Sequence, residues 1–205
     1  MKLEYASKQA ITYACRHFHY SKSVPANPIG YAVFNDQRTF CGVIIFAVGA
    51  NRFIAQPYGL RQGEVIELVR VALNGKQEST SQAISIAIRL IKKDVPLARL
   101  IVSYADCDQN HIGTIYQATN WYYEGKKKEG TQKGFLINGR KRHNKSVHSM
   151  GVRQTLEEVR KHLDPNAEKL ITKGKYKYLY PLRPEMIDLC KKLHRPYPKK
   201  PTTPI

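Results

Sequence analysis

The sequence predicts an α/β (α+β) fold, in which a mixed central sheet is flanked by helices and followed by a basic C-terminal elaboration. Three features predict it. Strand patterns alternate with helix patterns between residues 30 and 125, one strand pattern is an unbroken apolar run, and lysine becomes frequent after Gly125. An unbroken apolar run is typical of a strand buried on both faces of a sheet.

The first half of the chain carries regular helix and strand signals. Ser7 to Phe18 predicts a helix with Ser7 as its cap. GYAVF-NDQR-TFCGVIIFAVGA predicts a hairpin with a central second strand, and Asn51 to Gly63 predicts a loop. EVIELVRVAL predicts a strand, and the following helix begins near Ser79 and ends at Asp94.

The second half begins with the strand ARLIVSYA, a short helix from His111 to Thr119 and a strand from Asn120. The later patterns predict a strand running into a basic loop (FLINGRKRHNKSVHS), an amphipathic helix (TLEEVRKHL), a Tyr/Lys strand (ITKGKYKYLYPL), a last helix (PEMIDLCKKLH) and a disordered tail (PYPKKPTTPI). We therefore divide the chain into a core (1–125), a basic insertion for DNA binding (126–174), a closing strand and C-terminal helix (175–195) and a tail (196–205).

Positive charge is the dominant global feature, with a net charge of +18. Residues 126–205 hold 21 of the 34 lysines and arginines but 7 of the 16 acidic residues. This asymmetry, with Tyr and His interleaved, favours a nucleic acid held through its phosphates. A soluble basic protein with a Lys-rich tail is the alternative.

Several classes of protein are disfavoured. No apolar run reaches about 18 residues, so no membrane span is expected, and the N-terminus lacks a secretory signal. The four scattered cysteines form no CxxC pair, which predicts free thiols in the cytoplasm rather than a zinc ribbon. The oligomeric state stays open, and a homodimer is one of its alternatives.

Glu67 and Arg70 are charged residues inside a strand pattern. At three positions apart they are expected on opposite faces. Burying either without a partner is costly, so at least one is expected to face a site, unless each pairs at a sheet edge.

The segment LNGKQESTS joins that strand to the next helix. Its glycine and the amides at the helix N-terminus form a candidate phosphate seat made of Gly75, Ser79, Thr80 and Ser81. The alternative is an ordinary capped helix, because no Walker or GxGxxG motif is present.

The polar stretch YADCDQNH leads into the short helix. The spacing of Asp106, Asp108 and His111 is compatible with a metal site completed by His17 or His19. Asp108 or Asn110 could equally cap the helix that follows. Tyr116 is either a core tyrosine or a proton donor to a leaving group. HFHY at 17–20 either stacks on a base or ends the first helix.

The order of elements resembles the GNAT acyltransferase fold over residues 5–125 and the strand near Lys175. In that family a central strand and the next helix N-terminus seat the pyrophosphate of coenzyme A, and a tyrosine protonates the leaving thiolate. The resemblance implies these roles for Ile66–Leu73, for Asn74–Ser81 and for Tyr116. The usual Q/RxxGxG/A loop is replaced here by GKQESTS.

HFHYSK, IELVRVAL, SYADCDQNHIGTIYQATNWYYEG and KYKYLYPL, in this order, resemble the Mom family of phage DNA-modification proteins. These GNAT-like enzymes convert adenine in DNA to an N6-carbamoylmethyl derivative, which protects phage DNA from restriction. The resemblance implies a cytoplasmic enzyme acting on double-stranded DNA, with acetyl-CoA or another acyl donor, and iron, as candidate cofactors. It implies site roles for His19, Tyr20, Arg70, Ser103, Tyr104, Asp106 and Tyr116, and a DNA grip by Lys126, Lys127, Lys128, Arg140, Lys141 and Arg142.

Such a reaction requires the adenine to be flipped out of the duplex. Aromatic side chains are expected to stack on the base or fill its place: Tyr20, Trp121, Tyr122 and Tyr123. Asp106 is expected to take the N6 proton, and Arg70 to hold a phosphate or a donor carbonyl. Two alternatives stay open, an ordinary GNAT acetyltransferase acting on another amine and a DNA-binding protein without activity.

Overall fold

The computed structural model describes residues 1–47 and 53–199 of the chain. Within them the chain forms two compact units. The first unit comprises Met1–Ala105, Ile112–Gly125 and the chain from Lys177 onwards, and the second comprises Asp106–His111 and Lys126–Tyr176.

The strands form a seven-stranded mixed sheet, in the order β1-β2-β3-β4-β5-β10-β6, and a three-stranded sheet, β8-β7-β9. Their bounds are β1 Lys2–Tyr5, β2 Pro28–Phe34, β3 Phe40–Ala47, β4 Val65–Leu73, β5 Leu100–Asp106, β6 Tyr122–Lys127, β7 Gln132–Ile137, β8 Arg140–His143, β9 Glu168–Ile171 and β10 Lys175–Pro181. The pairs from β1 to β4 are antiparallel, whereas β4 and β5 are parallel.

Six α-helices are found in the described residues: α1 Lys8–Phe18, α2 Thr80–Asp94, α3 Thr114–Gln117, α4 Asn144–Ser149, α5 Leu156–His162 and α6 Ile187–Leu193. Ser7 caps α1 and Ser79 caps α2, as predicted, because each hydroxyl accepts a hydrogen bond from an amide of the first turn. None of the described helices is long and apolar enough to cross a membrane.

The helices α1 and α2 cover opposite faces of the large sheet. α1 packs its apolar residues on Val43 and Ile45. The alternate residue Ile44 lies opposite Tyr31, whose hydroxyl donates to Asp94 of α2. Since side chains alternate along a strand, the predicted sheet with helices on both faces is confirmed.

A β-bulge interrupts β4 at Val69. Arg70 lies opposite Ile45 and Leu68 lies opposite Phe46, so Val69 is an extra residue. The extra residue shifts the alternation by one position. Glu67 and Arg70 therefore lie on the same face of the sheet, the face that α1 covers, and the prediction of opposite faces is wrong.

The parallel ladder between β4 and β5 is short. It joins Val65–Leu68 to Leu100–Ser103 and ends there, although both strands continue. Leu68 and Ser103 are the last pair in register, so this is where the two strands cease to bond to each other.

The second unit is a small sheet with its own apolar core. Phe135 and Ile137 of β7 pack with residues of α4, α5 and the segments beside them. Asn138 and Gly139, both with positive φ (49° and 70°), join β7 to β8 in a two-residue turn. The basic loop predicted after FLIN is therefore wrong, because those residues form β8 and α4 instead.

Other boundaries differ from the predictions as well. β1 carries no strong sequence signal and was not expected. ITKGKYKYLYPL contains two strands of different sheets, β9 and β10. Residues 48–50 of the predicted hairpin, residues 51–52 of the predicted loop and residues 200–205 of the predicted tail lie outside the described ranges. Earlier in that tail, the Tyr197 hydroxyl donates to the Trp121 carbonyl at 2.6 Å.

The helix predicted from His111 to Thr119 is shorter than expected. α3 begins only at Thr114, because Gly113 adopts a left-handed conformation with φ of 80°. Tyr116 therefore lies in the first turn of α3.

Candidate active site

Ser103 and Tyr116 meet at the end of the β4–β5 ladder. The Ser103 Oγ lies 2.7 Å from the Leu68 carbonyl oxygen and 2.7 Å from the Tyr116 hydroxyl oxygen. Ser103 is fully buried and Tyr116 is 7% exposed. The sequence implied both residues, and the structure brings them into direct contact.

The hydrogen bonding of this pair has two arrangements. A serine hydroxyl carries one hydrogen, and a carbonyl oxygen only accepts. In the first arrangement Ser103 donates to the Leu68 carbonyl oxygen, and the Tyr116 hydroxyl donates to the Ser103 oxygen. In the second, Tyr116 has lost its proton and Ser103 donates to the phenolate oxygen. Burial raises the pKa of Tyr116 to about 12, although the Ser103 bond opposes the shift. Tyr116 is therefore a proton donor, not a base, near neutral pH.

The ring of Tyr116 is held by aromatic neighbours. Trp121 and Tyr178 each lie 5.0 Å from it, centroid to centroid. Tyr178 in turn donates to the Ile112 carbonyl. Trp121 has no exposed surface, so the prediction that it stacks on an incoming base is wrong; its role is to pack beside Tyr116.

The opposite face of β5 carries a second polar group of side chains. Glu124 of β6 forms an ion pair with Lys177 of β10 at 3.0 Å, and both side chains are about nine-tenths buried. The Tyr58 hydroxyl donates to Glu124 at 2.6 Å, and the Lys177 ammonium lies 4.9 Å from the centre of the Tyr58 ring. These three residues were not predicted, because their signal in the sequence is no more than a lysine inside the strand pattern KYKYLY.

Tyr104 lies on this same face of β5. Burial, and then the charges of Glu67 and Glu124, raise its pKa above the ordinary value for tyrosine. Glu67 of β4, Tyr104 of β5 and Glu124 of β6 therefore lie near one another on this face of the sheet. The face that α1 covers thus holds two carboxylates and a buried lysine beside tyrosines.

His19 follows the end of α1. Its Nδ1 accepts the Ser21 amide hydrogen at 3.1 Å, so the neutral ring carries its hydrogen on Nε2. The adjacent Tyr20 ring lies 4.3 Å from the imidazole and is 47% exposed. Both residues were implied by the sequence, and Tyr20 remains accessible for stacking.

Arg70 is held mainly by neutral groups. Its guanidinium donates to the Val69 carbonyl at 2.7 Å and to the Ser23 hydroxyl at 3.3 Å. Among the described residues its buried Nε has no hydrogen-bond partner. A half-buried cation with unused donor capacity suits an anionic or carbonyl ligand.

The candidate phosphate seat lies at the N-terminus of α2. The first turn carries no acidic residue, although the Ser79 hydroxyl already takes one amide hydrogen, that of Gln82. Ser81 lies 3.0 Å from Ser79, and Gln77 donates to Thr80 at 2.8 Å. Apart from the chain neighbours of Gly75, no atom of the described residues lies within 4 Å of the position of a Cβ added there. The open space and the free amides fit an anionic group such as a pyrophosphate.

The metal hypothesis for Asp106, Asp108 and His111 finds no support. Asp108 is used inside the second unit, where its carboxylate pairs with Lys133 at 2.7 Å and accepts from Thr172 at 2.8 Å. The Asp106 carboxylate accepts the Asp108 amide hydrogen and caps a 3₁₀ turn. In the parts of the chain that are described, no three His, Cys, Asp or Glu side chains form a ligand set, so they do not fit an iron site.

The residues predicted to bind DNA lie in the second unit. Arg140, Lys141 and Arg142 form most of β8, an edge strand. Lys126 pairs with Glu129, which raises its pKa, and Lys128 is exposed in the following turn. The β8 cations are therefore the stronger candidates.

Comparisons with known proteins agree with this architecture. A family model described as the Mom protein family matches residues 1–199. No curated protein matches the chain.

Solved structures of acetyltransferases are similar. An acetyltransferase from Bacillus subtilis in complex with CoA has a TM-score of 0.50 and 10% identity, covering 89% of this chain and 99% of that chain. A spermidine N-acetyltransferase from Vibrio cholerae has a TM-score of 0.48 and 10% identity, covering 91% and 96%. At this identity the first likeness shows the fold alone, and the predicted GNAT-like fold is confirmed. The family match extends over nearly the whole sequence, and the chain belongs to the Mom protein family.

Proposed function

We propose that this protein is a transferase that modifies the N6 amine of adenine in double-stranded DNA, giving the carbamoylmethyl product and protecting phage DNA from restriction. The observation that carries the proposal is the Ser103–Tyr116 pair at the end of the β4–β5 ladder. It supplies a buried proton donor at the point where a GNAT-like sheet opens. Membership of the Mom family supports adenine in DNA as the acceptor.

The proposed step forms a bond between N6 and the methylene carbon of an activated acetamide donor. The bond from that carbon to the leaving group breaks, and the leaving group departs with the electron pair. Tyr116 gives it a proton, and N6 loses a proton to a carboxylate base, the role proposed for Asp106. Both groups then exchange their protons with water, which completes the cycle.

Ser103 is proposed as a positioning residue for Tyr116. When the tyrosine gives up its proton, Ser103 turns its single hydrogen from the Leu68 carbonyl to the phenolate oxygen. Stabilising a charge only as it forms lowers the barrier without tightening substrate binding. Trp121 and Tyr178 keep the ring in the required orientation.

The proposed donor is an acetamide joined to coenzyme A through a thioether, in which the methylene carbon carries the sulfur that leaves. An acyl-CoA thioester carries its leaving sulfur on the carbonyl carbon and suits only the acetyl transfer considered below. The residues that would hold the proposed donor are those at the start of α2, Gly75 and Ser79–Ser81, with Arg70 on the donor carbonyl or a phosphate. Such a group supplies a leaving group that departs as a thiolate. The proposed reaction does not involve iron, because the described residues do not fit an iron site.

The acceptor adenine is proposed to enter as a flipped base. Tyr20, beside His19 and half-exposed, is the aromatic side chain best placed to stack on it. The basic residues of the second unit, above all those of β8, are proposed to hold the duplex through its phosphates.

One alternative function keeps the same proton donor. In an ordinary acetyltransferase, a substrate amine attacks the thioester carbonyl carbon, the carbon–sulfur bond breaks, and Tyr116 protonates the thiolate. The Ser103–Tyr116 pair and the anion seat on α2 suit this reaction equally well. The two functions differ in acceptor and product: a free amine would be acetylated and DNA would stay unmodified.

Mass spectrometry of nucleosides from cells expressing the protein separates these functions. The proposal predicts deoxyadenosine carrying the mass of a carbamoylmethyl group, with fragmentation placing it on the base. Deoxyadenosine carrying the mass of an acetyl group would show that the protein transfers an acetyl group to DNA and not a carbamoylmethyl group. Unmodified DNA in cells containing the folded protein would contradict the proposed function.

A further inference from the structure

The outward face of α1 carries a basic groove that the proposed reaction does not use. A cavity of about 670 Å³ lies against this helix and is lined by Lys8, Thr12, Tyr13, Arg16 and His17, with Ser7 and Gln9 at one end. We call these lining residues the α1 groove. The opposite side of α1 is buried on the sheet, so the groove residues are not needed for the core.

The charge of the α1 groove is uncompensated. The sequence has no acidic residue between Glu4 and Asp36, although it has three cations there, Lys8, Arg16 and Lys22. Neither Lys8 nor Arg16 has a carboxylate within ion-pair distance among the described residues. Uncompensated cations along one helix face attract a polyanion.

The aromatic part of the groove is held in a fixed arrangement. The rings of Tyr13 and His17 stack at 4.2 Å with an interplanar angle of 25°, and Tyr13 also meets Phe18 edge-on at 5.5 Å. His17 Nδ1 donates to the Tyr13 carbonyl at 2.8 Å. Tyr13 is nevertheless 50% exposed. A rigid, exposed ring beside cations is the combination that nucleic-acid-binding surfaces use.

The position of the groove relates it to the proposed site. α1 ends at Phe18 and leads directly to His19 and Tyr20. From Lys8 to Arg16 the helix rises about 12 Å. One strand of a duplex carries a phosphate about every 3.4 Å along its axis, so the groove has the length of about three or four phosphates.

We propose that the α1 groove is a second DNA-backbone site, which holds the phosphates flanking the base that enters the active site. It lies in the first unit, whereas the DNA grip proposed above lies in the second. A membrane surface fits less well, because an interfacial helix exposes an apolar face and α1 buries its own. The inference rests on the proposed function only for its choice of DNA as the partner.

The test is the salt dependence of binding to a fluorescent duplex oligonucleotide. Lys8→Glu/Arg16→Glu is compared with Arg38→Glu/Lys92→Glu, which changes the net charge equally at exposed positions outside the groove. Each phosphate contact contributes about 0.9 to the slope of log K against log salt. We expect the groove variant to bind the duplex roughly tenfold or more weakly at low salt. Its slope of log K against log salt should be smaller than that of the wild type by about 1.8. The control variant should keep the wild-type slope.

A second variant guards against misfolding. Lys8→Gln/Arg16→Gln keeps side-chain length and helix propensity and should lose a similar slope. Equal losses in the groove and control variants would overturn the inference, as would wild-type binding by both groove variants. Nucleoside mass spectrometry on the wild type is run in parallel. If adenine is modified but the groove variants bind DNA like the wild type, only this inference is contradicted. If the groove variants lose salt-dependent binding but adenine is not modified, only the proposed function is contradicted.

Discussion

The Ser103 hydroxyl has one hydrogen and two oxygens within 2.7 Å, which gives it a specific place in proton transfer. Because its bond lowers the pKa of Tyr116 against the effect of burial, Ser103→Ala should raise that pKa further. We expect the variant to lose roughly 10- to 100-fold in kcat with little change in KM for DNA. Steady-state modification rates measure this, with Ser85→Ala on α2 as the control, and a change confined to KM would contradict the positioning role.

Asp108 was a metal candidate in the sequence and is a structural residue in the fold. Burial opposes its ionisation, but the bonds from Lys133, Lys173 and Thr172 outweigh this and lower its pKa to about 2. The pKa of Asp108 in the folded protein lies below its unfolded value of about 3.9. The contribution of Asp108 to the free energy of unfolding is therefore complete above about pH 4 and is lost as the pH falls towards 2.

Asp108→Asn should therefore cost about 1 to 2 kcal/mol of unfolding free energy at neutral pH, and the gap to wild type should narrow below pH 4. Thermal unfolding between pH 2 and 7 measures this. The exposed Asp188→Asn serves as the control. A constant gap over that range would contradict the ion-pair account.

Gly113 determines where α3 starts. It has φ of 80°, and an added Cβ would lie 2.3 to 2.7 Å from the Tyr178 ring. Gly59 has a similar φ of 65°, and within the described ranges no atom beyond its chain neighbours lies within 4 Å of such a Cβ. Gly59→Ala reports backbone strain alone, about 1 kcal/mol, whereas Gly113→Ala adds a steric clash of about 1 to 3 kcal/mol or more.

Gly113→Ala should also slow DNA modification, because it moves the ring that packs against Tyr116. Thermal unfolding and nucleoside mass spectrometry on both alanine variants measure the two effects. Equal stability and activity of the two variants would show that the Gly113–Tyr178 contact does not matter.

The elements also show which predictions sequence can support. The caps Ser7 and Ser79 were predictable because a cap depends on residues within one turn. The bulge at Val69 was not, since it arises from pairing with β3. The Glu124–Lys177 pair was hidden for the same reason: β10 lies beside β6 in the sheet, and nothing in the chain order indicates it. Ser103 and Tyr116 were found through the family resemblance, and their shared hydrogen bond required the structure.

The whole molecule combines a GNAT-like core with an excess of positive charge. Residues 126–205 contribute most of that charge, and β8 concentrates it on an edge strand. Arg140→Glu/Lys141→Glu/Arg142→Glu should weaken DNA binding at low salt and reduce the slope of log K against log salt by about 0.9 for each phosphate that the variant no longer binds. Fluorescence anisotropy at several salt concentrations measures this, and an unchanged slope would remove β8 from the DNA grip.

Tyr116 is proposed to serve chemistry on DNA and not binding to it. The most direct test measures modified deoxyadenosine and duplex affinity together for wild type and Tyr116→Phe, which keeps the ring between Trp121 and Tyr178. We expect Tyr116→Phe to lose about 100-fold or more of the modification, while its DNA affinity and thermal stability stay close to those of the wild type. Wild-type levels of modified adenine in Tyr116→Phe would contradict this role.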